Sequence, residues 1–175
     1  MPQTSFAIIA IGNMLQKDDG MGIFAAKYLE ENYSFNPSID IIQGGVEGVN
    51  LLNTFMEYDE ILFFDCVDTS DESGTIYLIP TTELKTSGMV QNSAHEMGLL
   101  ECLGMLELMG EAVPLASLLG IVPGEIKTEI GLSSKLYDAF DVYIRTAIKY
   151  ISASGVQILP KKEMLSVGEI IQSFR

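Results

Sequence analysis

The chain has 175 residues, 47% of them hydrophobic, and 24 acidic against 10 basic side chains for a net charge of −14. That size fits one domain with its own core, and the hydrophobic content excludes global disorder. The negative balance argues against nucleic acid or an anionic membrane surface as partner, and no apolar run approaches the ~20 residues of a membrane span.

The N-terminus, "MPQTSFAIIAIGN", lacks the basic start and apolar length of a secretory signal. Phe6–Ile11 is apolar at consecutive positions, as in a strand covered on both faces. A glycine-bearing loop follows, then a helix over Met21–Tyr33 with Ile23, Phe24, Tyr28 and Leu29 at helical spacing. Ile39–Gln43 reads as a second strand, followed by Gly44-Gly45 and then a helix through Val49, Leu52 and Met56. Glu60–Asp68 is the strongest buried-strand pattern, and Gly74–Pro80 is a shorter strand closed by proline. Thr81–Asn92 is polar and aperiodic, hence an exposed loop. Ser93 and Glu96 form a capping-box pattern that opens a long helix, which Gly110 ends. Pro114–Pro123 contains another strand, and Ser133 or Ser134 caps a last helix with the apolar face Leu136, Phe140, Tyr143 and Ala147. Residues 152–175 form a tail beyond the 1–151 domain, with a short amphipathic helix within Met164–Phe174. Cys66 and Cys102 lack CxxC spacing and read as small buried hydrophobes in a reducing compartment, so the expected location is cytoplasmic.

This alternation predicts a single α/β domain, with a twisted, mostly parallel sheet of about five strands sandwiched between helices. Ligand sites in such sheets gather at the carboxyl ends of the strands. The loops after Ile11, Gln43 and Cys66 are therefore expected to share one edge. The first of these loops, with Gly12, Gly20 and Gly22, matches neither a P-loop nor G-x-G-x-x-G. Asp18 and Asp19 stand where a phosphate would sit and would repel it.

One aspartate of that pair is expected to cap the helix starting near Met21, which leaves the other free. Asp65 follows "ILFF" in the best strand, where a carboxylate needs a hydrogen-bonded loop or a cation. Asp68, just behind, is expected to be more exposed. His95, the sole histidine, lies in the first turn of a helix, whose dipole favours the neutral ring. Asp19, Asp65 and His95 together make a two-carboxylate, one-imidazole set suited to a divalent transition ion such as nickel, zinc or copper. No G-x-S-x-G elbow and no H-E-x-x-H is present, so an enzyme built on this chain leans on a metal.

The blocks "GNMLQKDDGMG", "GGVEGVNLL", "ILFFDCVD", "SAHEMGL" and "GIVPGEIKTEIGLS" occur in that order between Phe6 and Ile151. With them the chain resembles the [NiFe]-hydrogenase maturation endopeptidases. The resemblance implies an aspartyl-type peptidase that removes the C-terminal extension of the hydrogenase large-subunit precursor after nickel insertion. It also implies that nickel arrives with the substrate, is bound transiently, and that no organic cofactor is needed. The family's first acid, often glutamate, falls on Asp19, its second on Asp65 and its histidine on His95. These three are then both metal-reading and catalytic. The Gly44–Gly48 loop, Gly44 and Gly45 foremost, would contact the substrate tail. Many members have aspartate before the double glycine, where this chain has Gln43. Two other readings stand beside this one: a non-catalytic metal checkpoint or chaperone for hydrogenase assembly, and a nucleotide- or flavin-binding α/β protein, for which only the fold argues.

Overall fold

The apolar run Phe6–Ile11 forms β1, buried at all six positions because strands flank it on both sides and helices cover both its faces. The computed structural model describes residues 4–45, 52–84, 86 and 94–175, with 44–45 and 94–97 by their backbone alone. The other strands of the main sheet are β3 (Asp40–Gly45), β4 (Glu60–Cys66), β5 (Ile76–Pro80) and β6 (Leu115–Ile121), and β2 (Tyr33–Asn36) lies apart from it. Their order is β3-β1-β4-β6-β5, all parallel except β5, which runs antiparallel to β6. From β1 the chain goes outward to β3, then crosses to β4 on the other side of β1. The topological switch point thus lies between β1 and β4. The carboxyl ends of β1, β3 and β4 share one edge, as expected.

Strand alternation assigns the two faces. Ile8, Ala10, Leu62, Phe64 and Leu119 meet α1 (Met21–Asn32) and the long helix Ser134–Ala153. Ala7, Ile9, Ile61, Phe63 and Leu118 meet α2 (Leu52–Phe55) and the helix Ala94–Met109 through Phe55, Leu99, Cys102 and Leu106. In chain order α3 is Thr81–Leu84, α4 is Ala94–Met109 and α5 is Ser134–Ala153. The expected face of α5 is fully inside: Leu136, Phe140, Tyr143 and Ala147 are all buried. Tyr143 packs edge-on against Phe64 with ring centroids 5.5 Å apart, and its hydroxyl donates to the Leu119 carbonyl at 2.8 Å.

Several local expectations are corrected. The segment expected to be an exposed loop from Thr81 begins instead as α3, in which Thr81 donates to the Ala116 carbonyl at 3.2 Å and Leu84 is buried. The helix expected to run through Val49 is described only from Leu52, and Val49 lies outside the described residues. Tyr33 belongs to β2, which pairs antiparallel with β7 (Gln157–Pro160) in a two-stranded ribbon. The buried Asn32 side chain holds this ribbon to the chain beyond it, donating to the Leu165 carbonyl at 2.9 Å and accepting the Leu165 amide at 2.7 Å. A capping box of Ser166 and Glu169 then starts α6 (Val167–Gln172), which buries Ile170 and Ile171. Phe174 meets Phe24 of α1 edge-on at 5.6 Å. Cys66 and Cys102 are both buried, and neither is in a disulfide among the described residues. Among the described residues, no helix is long and apolar enough to cross a membrane.

Candidate active site

The loop after β1 is built on glycine. Gly12 has φ +139°, and a Cβ there would lie 2.1 Å from the Asp19 carbonyl oxygen. That closeness lets the loop fold onto itself. The Asn13 amide donates both to the Asp19 carbonyl, at 3.2 Å, and to its carboxylate Oδ2, at 2.9 Å. A single 3-10 turn, Lys17–Gly20, leads into α1. Gly22 then sits against the Phe64 and Ile11 carbonyls, where an added Cβ would stand 2.8 and 3.0 Å away. The start of α1 is thereby pressed onto the ends of β1 and β4.

Asp18 and Asp19 divide their roles, but not as expected. Gly20 occupies the N-cap position of α1, and no side chain caps it. Asp18, fully buried, instead faces the loop between β6 and α5 and takes four hydrogen bonds there. Its Oδ2 accepts the amides of Gly124 and Glu125 at 2.8 and 2.7 Å and the Ser133 hydroxyl at 2.7 Å, while Oδ1 accepts the Ser133 amide at 2.6 Å. A buried carboxylate so fully satisfied, at the positive end of a 20-residue helix, is a structural anion. Ser133 is the N-cap of α5, but its hydroxyl is turned to Asp18. Asp19 is only partly buried.

Asp65 is the penultimate residue of β4 and 1% exposed, and its Oδ1 accepts the amide of Cys66 at 2.8 Å. By strand alternation it faces the same side as Ile61 and Phe63, the side on which α4 packs. Cys66 faces the other way, and its thiol donates to the Asp18 carbonyl at 2.9 Å, joining the aspartate turn to the end of β4. Asp68 is exposed.

His95 is the second residue of α4. That helix ends at Gly110, whose φ of +72° turns the chain back to begin β6 five residues later. Since β6 runs parallel to β4, α4 runs against both, and its first turn lies at their carboxyl edge. The Ser93 and Glu96 side chains of the expected capping box, and the His95 ring itself, lie outside the described residues. Among the described residues, no three His, Cys, Asp or Glu form a metal-sized group.

Gly44 and Gly45 are strand rather than loop: β3 continues past Gln43. The register slips there, with Ala10 opposite Gln43 but Ile11 opposite Gly45, so Gly44 is the extra residue of a bulge at the same edge. Gln43 is exposed, and 46–48 lie outside the described residues.

Sequence reasoning missed the partner of the aspartate loop. Lys17, buried and at φ +51°, ion-pairs with Glu125 at 2.6 Å, and Lys127 lies 3.4 Å from Glu125 and 3.2 Å from Glu129. The Lys17 hydrogen bond, then that of Lys127, holds the Glu125 carboxyl below its ordinary range. The backbone is joined as well: Lys17 donates to the Glu129 carbonyl at 2.8 Å and Glu129 to that of Leu15 at 3.0 Å. The only sequence sign was a pair of adjacent acids with one helix start to share.

Comparison with known proteins agrees with this architecture. The family description "Hydrogenase maturation protease" matches residues 23–150. The hydrogenase expression/formation protein HupD of Rhizobium leguminosarum bv. viciae is 26% identical over 98% of this chain and 86% of its own length. The hydrogenase 2 maturation protease of Escherichia coli strain K12 is 24% identical, over 89% of this chain and 95% of its own. Among solved structures, the hydrogenase maturating endopeptidase HybD from E. coli superposes with a TM-score of 0.82 at 24% identity, covering 90% of this chain and 98% of its own, which shows the shared fold. The chain belongs to the hydrogenase maturation protease family and is a peptidase.

Proposed function

We propose that the protein is the endopeptidase that removes the C-terminal extension of a [NiFe]-hydrogenase large-subunit precursor once nickel has been inserted. Asp19, Asp65 and His95 are the groups that read the nickel the precursor carries, and Gly44 and Gly45 border the path of its tail. The observation that carries this reading is the position of two acids at the switch point. Asp19 lies in the turn after β1 and Asp65 is the penultimate residue of the neighbouring strand β4, at the carboxyl edge where α4 begins.

The chemistry follows from the donor set. Two carboxylates and a neutral imidazole offer hard and borderline ligands to a divalent ion, and the carboxylates balance its charge. The hydrogen bond from Asn13 orients Asp19, and that from the Cys66 amide orients Asp65. An ion held between them is a Lewis acid that can polarise the scissile carbonyl or lower the pKa of an attacking water. Because the ion comes with the substrate, a precursor without nickel leaves the site incomplete and the peptide bond uncut.

Intact-mass spectrometry of precursor incubated with the protein tests this. The nickel-loaded form is expected to lose a single C-terminal peptide and the nickel-free form none. Equal cleavage of both, or of neither, would refute the proposal.

A further inference from the structure

The two loops that Lys17 and Asp18 join form a rim beside the aspartate turn, and each carries one exposed apolar side chain. Leu15 is 51% exposed and stands four residues before Asp19, and Ile126 is 56% exposed in the segment between β6 and α5. Their segments are paired at the backbone, with Glu129 donating to Leu15, Lys17 to Glu129, and Asp18 to the Glu125 carbonyl at 3.2 Å. We infer that Leu15 and Ile126 are the docking rim for the folded body of the precursor protein, gripping an apolar surface that surrounds the emerging metal site. This inference rests on the function proposed above.

Three features support this occupant. The rim is continuous with the turn that bears Asp19, which sets it beside the place where a partner would present its metal. It is also held rigid, since Lys17 and Asp18 are buried and their side chains are bonded to the second loop. A preformed rim loses little conformational entropy on docking. Finally, Glu125 and Glu129 on either side of Ile126 are paired with Lys17 and Lys127, in a chain of net charge −14. A rim whose exposed glutamates are already ion-paired, with two apolar points beside them, suits a protein partner held by apolar contact rather than by charge.

The test is the double variant Leu15→Asp/Ile126→Asp, with Leu108→Asp as control. Leu108 is 90% exposed near the end of α4, at the opposite edge of the sheet. With nickel-loaded precursor, the double variant is expected to raise KM by about tenfold or more while kcat stays within about twofold. Its calorimetric affinity for free Ni²⁺ should equal that of the wild type, and Leu108→Asp should match the wild type throughout. The conservative pair Leu15→Met/Ile126→Val should restore KM. An unchanged KM in the double variant, with wild-type thermal unfolding, overturns the docking rim and leaves the peptidase reading intact. Failure of the wild type to process the loaded precursor overturns both.

Discussion

Asp18 and Ser133 are 115 residues apart in sequence, yet Ser133 donates both its amide and its hydroxyl to the Asp18 carboxylate, at 2.6 and 2.7 Å. This contact fixes the loop that bears Asp19 against the start of α5, and it separates two neighbouring acids by role. Asp18→Asn replaces one acceptor oxygen by a donor that faces other donors, so one or more buried amides lose their partner. It should destabilise the fold by about 2–4 kcal/mol, measured by urea unfolding.

Asp19→Asn should behave in the opposite way. The amide oxygen can still accept the Asn13 amide, so stability should change by less than about 1 kcal/mol. Processing of nickel-loaded precursor should be abolished. Wild-type processing by this variant would remove Asp19 from the site.

Asp65→Asn and His95→Gln are expected to abolish processing as well, with the circular-dichroism spectrum and cooperative unfolding retained. If either one still cleaves at the wild-type rate, its side chain does not read the metal.

Gly12→Ala tests the loop backbone rather than its ligands. The added methyl would be forced onto the Asp19 carbonyl at a backbone angle that alanine disfavours. Precursor cleavage should fall at least about tenfold, with a stability loss of about 2 kcal/mol or more. A variant with normal turnover would show that the loop tolerates displacement.

Stability should also fall in alkali. Burial pushes the Tyr143 hydroxyl well above its ordinary pKa, and burial together with the hydrogen bond to Asp40 pushes Tyr58 up to about 12. A folded pKa above the unfolded one means that this contribution is complete below the ordinary tyrosine value near pH 10 and is lost as pH rises through the folded value. Tyr143→Phe should cost about 1 kcal/mol at neutral pH through the lost bond to Leu119, and should flatten the decline in stability above pH 10.

What the sequence disclosed followed the density of apolar residues. β1 and β4 were legible because strands buried on both faces tolerate almost nothing polar, and that same rule made Asp65 conspicuous. The carboxyl-edge location of Asp19 and His95 followed from the alternation of strands and helices. The β2–β7 ribbon was not legible, since its two strands have four residues each and show an exposed face to solvent. Nor was α3, whose threonines and glutamate conceal one buried leucine. The choice between Asp18 and Asp19 could not be read locally, because the donors that claim Asp18 come from a loop more than a hundred residues away.

The ribbon and the chain that follows it also set a limit on trimming this enzyme. From β7, beside the end of α1, the tail returns along that helix until Phe174 meets Phe24 and the Arg175 side chain donates to the Ile130 carbonyl at 3.0 Å. The stretch that carries the family signature, 23–150, contains neither this strap nor β1. A protein cut to that stretch would keep Asp65 and His95 but would lose β1 from the interior of the sheet, the Asp19 turn and the outer cover of α1. The recognisable part of the molecule is therefore smaller than the part that must be present for it to fold.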